Sequence, residues 1–414
     1  MDFKFLHAAD IHLDSPLRGL SQYQGVPAEV VRSATRDALD NLVSCAIDER
    51  VAFVVIAGDL YDGDWEAFPT GLYFCGAMRR LGAADIDVFL VYGNHDADSR
   101  LTRQLPLPPN VKAFGADRPQ TFEHEATGAV LHGQSYKSRD PGPLAGGYPA
   151  ARPGTFNIGV LHTALNGDRG HAPYAPCHPD ELAAKGYHYW ALGHVHGYEV
   201  VRATPVIVFP GNLQGRNVRE TGPKGAALVT VADGRVDGVD HVALDAVRWS
   251  VVEVDLTGVE TDGAAQEQVR LALAAAHAAE AEGRPLMARV RLRGETVLHG
   301  SLCEARDVWR EGVRAIAASI SDTLWIEKVV LAVTPPASDE ALSDEFEALL
   351  RELSADPQVE AAVAQDLTDF LSKAPADLDD EFEALAEVRG GQLARALDDA
   401  AAALRARLTS GARP

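Results

Sequence analysis

Cysteine is scarce and scattered: Cys45, Cys75, Cys177 and Cys303 are the four in 414 residues, and no two form a CxxC pair. That excludes a disulfide framework and a thiolate zinc knuckle, and it fits a reducing, cytoplasmic setting. Long hydrophobic runs are missing as well. The opening MDFKFLHAAD soon reaches His and Asp, and no later stretch extends to the about 18 uninterrupted apolar residues of a membrane helix. Neither a signal peptide nor a membrane span is expected. Positive charge is also in short supply, with Lys+Arg 38 against Asp+Glu 60 and a formal net charge of -22. A chain so acidic is a poor non-specific binder of polyanions. Residues Pro336 to Pro414 alone hold 18 acids and 7 bases, so the deficit is concentrated at that end.

What is present is an ordinary globular composition, 46% hydrophobic and 24% charged, in a chain long enough for two or three domains. Over residues 1–245, short apolar runs repeatedly stop at a polar cluster: FKFLHAADIH, VAFVVIAGDLYD, VFLVYGNHD, FNIGVLHT and YHYWALGHVH. Runs of that length read as buried strands. Helical stretches lie between them at Ala28 to Arg50 and Trp65 to Leu81, so the expected fold is α/β, two sheets flanked by helices. VIVFPGN and GAALVTVADGRV read as hairpin or edge strands closing a second sheet. The Gly- and Pro-rich Ser135 to Thr155 reads as a long surface loop.

From Trp249 the pattern restarts as strand, Ala-rich helix, strand, helix and strand, a smaller α+β domain over 246–335. Thr334-Pro335-Pro336 breaks the chain. The tail, 336–414, carries Leu342, Phe346, Leu349, Leu350 and Leu353, then Leu393, Leu397, Leu404 and Leu408 after Gly390-Gly391, at the spacing of short amphipathic helices. Such helices either pack back on the body or dock a partner.

The polar clusters that end the five runs are Asp10-Ile11-His12, Gly58-Asp59, Gly93-Asn94-His95-Asp96, His162 and Gly193-His194-Val195-His196. In an extended segment residues two apart face the same way, so Asp10 and His12 can share one ion, and His194 and His196 can reach a common centre. Carboxylate, imidazole and amide donors without thiolate suit Mn, Fe or Zn with open coordination positions. So many donors exceed one ion's needs and point to two metals about 3.5 to 4 Å apart, bridged by a carboxylate such as Asp59. A single buried His is usually a satisfied core group, and His7, His124, His132, His171, His178 and His188 are read that way.

The ordered set DxH, GD, GNHD, H and GHxH resembles the calcineurin-like metallophosphoesterase superfamily. DIHLDSPL, PGNLQGRNVRETGPKG, the small second domain and the helical tail are similar to SbcD-type DNA repair exonucleases of the YhaO-like branch. The resemblance covers roughly the first 335 residues. It implies a two-sheet metallophosphoesterase sandwich, a capping domain that contacts DNA and a partner-docking tail. It implies Asp10, His12, Asp59 and His196 around a first metal, and Asp59, Asn94, His162 and His194 around a second. His95 is then the catalytic imidazole facing the scissile phosphate, and Asp96 holds loop geometry. Some relatives have a histidine where this chain has Asp62, and an aspartate there repels a phosphate unless it is hydrogen-bonded away. Arg216, Arg219 and Lys224 are candidate phosphate contacts or a solvated loop. Arg289, Arg291 and Arg293, with Arg284 nearby, are a basic strand face that either follows DNA or is a solvated edge.

The resulting expectation is a DNA nuclease with two divalent ions, Mn2+ first and Mg2+, Fe2+ or Zn2+ as alternatives. It works as a homodimer with an SMC-like ABC ATPase subunit, which the resemblance supplies. A small-molecule phosphodiesterase or phosphatase, and a non-catalytic scaffold subunit of a repair complex, stay open as other readings.

Overall fold

The computed structural model of the chain describes residues 2–15, 28–62, 68–98, 106–167, 173–336, 344–354 and 356–373, with isolated positions at 388, 393, 397, 400, 401 and 404. Pro16 and Leu17 of the DIHLDSPL stretch, the expected helix start at Trp65, His171, Leu342, Gly390-Gly391 and Leu408 lie outside the described residues. The chain forms two compact units. One comprises Met1–Val252, Leu273–Val290 and Ala317–Lys328, and the other Glu253–Ala272, Arg291–Ile316 and Val329–Pro414.

In the first unit, β1 (Phe3–Ala8), α1 (Ala28–Asp48), β2 (Phe53–Ala57), α2 (Phe68–Ala83) and β3 (Asp87–Val91) alternate. Then come α3 (Asn94–Asp98), β4 (Val111–Ala113), β5 (Gln120–His124), β6 (Ala129–Gly133) and β7 (Asn157–His162). The series continues through α4 (Pro179–Ala183), β8 (Tyr189–Gly193), β9 (Tyr198–Ala203), β10 (Val206–Pro210), β11 (Gly225–Ala232) and β12 (Arg235–Ala243). These strands make two six-stranded sheets, β12-β11-β1-β2-β3-β4 and β5-β6-β7-β8-β10-β9. The centre of each is parallel, β1 to β4 in one and β6, β7, β8 and β10 in the other, with antiparallel strands at the margins.

Burial on both faces explains why these strands read as unbroken apolar runs. Leu6, Val54, Ile56, Val88 and Leu90 face one core with Ala38, Leu42 and Ala46 of α1 and Phe74, Met78 and Leu81 of α2. Their neighbours Phe5, Phe53, Val55, Phe89 and Val91 turn the other way, into the core shared with Ile158, Val160 and Tyr189 of the second sheet. The helical residues recur three or four apart, which gives each helix one apolar stripe. Each such fully buried side chain contributes about 1.5 to 3 kcal/mol of transfer free energy.

Both runs form the expected hairpins, β11 with β12 and β10 with β9, but GAALVTVADGRV joins the first sheet, antiparallel to β1, and VIVFP is the interior strand β10 of the second, not an edge. Ser135 to Thr155 is the long surface loop expected, and it is anchored. Its Ala145 and Tyr148 pack with Trp190, Leu192 and Phe209 on the second sheet's outer face, and the Tyr148 hydroxyl donates to the Val160 carbonyl at 2.7 Å. The segment covers apolar surface that a helix covers on the other side.

After residue 246, β13 (Arg248–Asp255), α5 (Asp262–Glu280), β14 (Leu286–Glu295), α6 (His299–Glu304), α7 (Arg306–Ile320) and β15 (Leu324–Thr334) follow, and the three strands form a sheet in the order β13-β14-β15. The single helix expected near Cys303 is broken at Ala305. In the second unit, α8 (Asp344–Ser354) and α9 (Pro357–Lys373) are helical, with Leu350 buried and Leu349 and Leu353 exposed.

Candidate metal centre

The carboxyl ends of five parallel strands converge: β1 delivers Asp10 and His12, β2 Asp59, β3 Asn94 and His95, β7 His162, and β8 His194 and His196. That is where open α/β sheets collect ligands. Leaving each strand takes sharp backbone turns. Asp10, His12 and Asp59 have φ of 50, 45 and 49°, and His194 has φ of 106°, a conformation that L residues adopt only under the constraint of surrounding structure. Gly93 is required by close approach, because a Cβ there would lie 2.3 Å from Asp59 Oδ1 and 2.9 Å from His162 Cε1.

Asp10, His12 and His196 form one group whose donor atoms lie within 4.8 Å of one another, and Asp59, His162 and His194 form a second. Asn94 joins the second group, with Oδ1 3.0 Å from His162 Nε2. His12, Asp62 and His95 form a third. All of these sit in the first unit.

The hydrogen bonds decide which way the imidazoles face. His12 donates from Nδ1 to Asp62 Oδ1 at 3.1 Å, and His196 donates from Nδ1 to Glu220 Oε1 at 2.7 Å. Carboxylates only accept, so both protons sit on Nδ1 and both Nε2 atoms carry lone pairs. Those two Nε2 atoms face each other at 3.4 Å. Two lone pairs repel at that distance unless a cation lies between them, and the spacing suits two nitrogens each about 2.1 Å from one ion. His162 repeats the logic: Nδ1 donates to the Ala57 carbonyl at 2.9 Å, while Nε2 faces Asn94 Oδ1 and, at 3.5 Å, Asp59 Oδ2. Once His162 gives up its Nε2 proton, three acceptors converge on one point. The donor set therefore fits divalent ions.

The electrostatics of the metal-free protein show the same surplus. Burial works to lower His162, yet the carboxylate of Asp59 outweighs it and raises the imidazole to about 9. A proton stands where a cation would. Burial likewise opposes the charge on Asp59, but His162 holds it well below the usual carboxylate range. Burial, aided by the nearby Arg216 charge, lowers His12 to about 4, which keeps it neutral and its lone pair available. Burial raises Asp10, whose carboxylate accepts from the His194 backbone N–H at 2.9 and 3.1 Å.

Asp96 is buried and accepts from the backbone N–H groups of Leu60, Tyr61 and Gly93, at 3.1, 2.9 and 2.9 Å, which ties the β2 and β3 loops together. Burial and the Asp59 charge raise it to about 7. Asp62 is held by its neighbours: besides His12 it accepts from Ser15 Oγ at 2.5 Å, and His95 Nδ1 and Arg216 Nη1 lie 3.3 and 3.7 Å from it. The His95 side chain is 34% exposed, the most open imidazole of the site, so an incoming phosphate can reach it. Arg216 donates to Glu220 at 3.1 Å beside His196. Lys224, the other cation of that segment, spends its ammonium on the His196 carbonyl at 2.9 Å.

Glu220 has no counterpart among the residues expected from the sequence. It lies within RNVRETGPKG, but nothing in its spacing marks it as the partner of a histidine 24 positions earlier. Among the histidines set aside as core groups, His7 bonds Tyr189 and the Leu192 carbonyl, His132 bonds Thr121 and Asn157, His124 bonds Thr127, His188 accepts from the Asn157 N–H, and His178 caps α4. The basic strand face is neutralised: Arg289 forms a double hydrogen bond to Glu327 at 2.7 and 2.6 Å, Arg291 and Arg293 lie 3.9 and 3.4 Å from Glu253, and Arg284 caps the carbonyls of Asp245 and Ala243.

Residues 3–198, which carry the five strand ends, match the family model of the calcineurin-like phosphoesterases, and residues 249–334 match that of the middle domain of the metallophosphoesterase YhaO. Residues 3–198 form a calcineurin-like metallophosphoesterase domain. The chain is 35% identical over 261 residues to the uncharacterised metallophosphoesterase YhaO of Bacillus subtilis, across 62% of this chain and 64% of that protein's length, so it spans less than two thirds of that relative. It is 23% identical over 269 residues to the DNA double-strand break repair protein Mre11 of Thermoplasma acidophilum, across 60% of this chain and 68% of that protein. It is 26% identical over 140 residues to one component of the nuclease SbcCD of Bacillus subtilis, across 31% and 34% of the two chains. The phosphoesterase domain thus carries, at its strand ends, Asp, His and Asn donors that could hold divalent metal ions. Among the described residues no helix is long and apolar enough to cross a membrane.

Proposed function

We propose that this phosphoesterase hydrolyses phosphodiester bonds in DNA, as the nuclease subunit of a repair complex with an SMC-like ABC ATPase. The observation that carries hydrolysis is the pair of facing Nε2 atoms of His12 and His196, 3.4 Å apart with both protons held elsewhere, beside the open imidazole of His95. DNA as substrate is supported by the likeness to the DNA double-strand break repair protein Mre11 and to the nuclease SbcCD. Asp10, His12, Asp59 and His196 are the proposed ligands of one ion, and Asp59, Asn94, His162 and His194 of the other. When bound, divalent ions, Mn2+ first among the candidates, supply Lewis-acid polarisation of the phosphodiester and a source of hydroxide at neutral pH.

The chain's own residues do the rest. Asp62 orients His95 through Nδ1, leaving the other ring nitrogen for the departing oxygen of the substrate. Asp96 keeps the β2 and β3 loops at the separation the site needs.

A net charge of -22, and arginines of the small domain that are already paired with acids, leave the described residues without an obvious DNA-facing surface. The ATPase partner supplies that surface in this reading, and the tail with its exposed Leu349 and Leu353 docks it. The same observation favours a second reading, a phosphodiesterase of small nucleotides that needs no DNA surface. The test is Mn2+-dependent turnover of linear DNA, with and without the ATPase, against cyclic nucleotides and phosphomonoesters. Preference for the small substrates in both settings refutes the nuclease assignment. Deleting residues 340–414 should abolish co-purification with the ATPase and spare hydrolysis of a chromogenic phosphodiester; retained co-purification refutes the docking role.

A further inference from the structure

Behind the facing pair of His12 and His196 runs a chain of alternating charge. Asp62 accepts from His12 Nδ1 at 3.1 Å, Arg216 Nη1 lies 3.7 Å from that same Asp62 oxygen, and Arg216 Nη2 donates to Glu220 Oε1 at 3.1 Å. That Glu220 oxygen accepts from His196 Nδ1 at 2.7 Å. The second Glu220 oxygen accepts from Asn212 Nδ2 at 2.9 Å and from the Arg216 backbone N–H at 2.7 Å, so the carboxylate is fixed on both sides. A phosphate-binding arginine presents its fork to the incoming anion. Here the terminal nitrogens are turned to two carboxylates, the side chain is only 18% exposed, and Nε is buried with no acceptor.

We infer that Arg216 is a positioning residue, a strut between Asp62 and Glu220 that keeps His12 and His196 presenting their Nε2 atoms to one cation, and not a contact to the substrate phosphate. Both carboxylates set a tautomer, and the guanidinium braces from between them the Glu220 oxygen that takes the His196 proton and the Asp62 oxygen that takes the His12 proton. The strut also accounts for an aspartate at position 62. The Arg216 charge, 3.7 Å from that carboxylate, offsets a negative charge that would otherwise repel a phosphodiester. Groups that orient a metal-binding imidazole in this way typically change metal affinity about 10- to 100-fold when removed. This rests on the proposed metal centre but not on DNA being the substrate.

The test uses the full chain, stripped of metal and titrated with Mn2+ by calorimetry, alongside kcat and KM for a chromogenic phosphodiester. Arg216→Gln should weaken one of the Mn2+ equivalents by about 10- to 100-fold and leave the other near wild type. Wild-type Mn2+ affinity with a raised KM would overturn the inference and make Arg216 a substrate contact. Should Arg216→Gln fail to give a cooperative metal-free melt, Arg216→Lys decides on the same readouts: it keeps the charge but not the fork, so weakened Mn2+ binding supports the strut and unchanged binding with raised KM overturns it. A wild-type protein that takes up no Mn2+ would instead sink the metal centre itself.

Discussion

Replacing Gly93 by alanine tests the packing that brings the two metal-binding groups together. The added Cβ would sit 2.3 Å from Asp59 Oδ1, 2.8 Å from the Asp59 backbone nitrogen and 2.9 Å from His162 Cε1. Ordinary contact begins near about 3.5 Å, so the carboxylate must retreat by roughly 1.2 Å. It has nowhere to go, since Asp59 is 2% and His162 0% exposed. Overpacking of this kind costs about 1 to 3 kcal/mol of stability, and a misplacement of about 1 Å costs on the order of 100-fold in rate. Gly76→Ala is the control, because a Cβ in the middle of α2 meets nothing within 4 Å and should stabilise the helix. The assay pairs metal-free thermal melting with Mn2+ titration and hydrolysis of bis(p-nitrophenyl) phosphate. Gly93→Ala should melt lower, bind Mn2+ weakly and lose most of its activity. Wild-type affinity and activity in that variant would refute the claim that Gly93 sets the position of Asp59.

His95→Asn should keep Mn2+ affinity and lower kcat by about 100-fold or more, the usual worth of a positioned proton donor, and equal activity would remove His95 from the mechanism. His162, raised to about 9 beside Asp59, must give up its proton to accept a cation, so Mn2+ uptake at neutral pH should release protons, read by calorimetry in buffers of different ionisation enthalpy; no release refutes it. The same raised value stabilises the metal-free fold fully below the ordinary imidazole range and is lost as pH rises toward about 9, so metal-free melting should fall over that window. Phe68 and Leu72 are 52% and 54% exposed one turn apart on α2. We propose them as the contact face of a homodimer: wild type should read as twice the chain mass by light scattering and Phe68→Glu with Leu72→Glu as one chain, while a monomeric wild type or an unchanged dimer refutes that surface.

How far the sequence discloses the site depends on what kind of information each residue carries. Asp10, His12, Asp59, Asn94, His162, His194 and His196 are legible because each ends an apolar run, and a buried run that stops at Asp or His places a polar donor at a strand end. The assignment of β11 to the first sheet was not legible. Pairing with β1 is decided by apolar residues on both faces, and a two-sided strand looks the same in either sheet. The covering role of Ser135 to Thr155 hid behind its glycines and prolines, which announce the absence of regular structure but not whether Tyr148 is anchored.

Donors alone do not make a metal centre, since an imidazole offers either nitrogen and only one of them can face the ion. That choice is made by Asp62, Glu220 and the Ala57 carbonyl, which take the Nδ1 protons of His12, His196 and His162. Asp62 stands 50 positions from its histidine, Glu220 stands 24 and Ala57 stands 105, and a backbone carbonyl has no residue type to notice. The five motifs therefore specify which atoms are available, whereas the tertiary contacts behind them specify which lone pairs point inward. A chain could keep every one of the five motifs, lose Glu220, and present His196 with its proton on the wrong nitrogen.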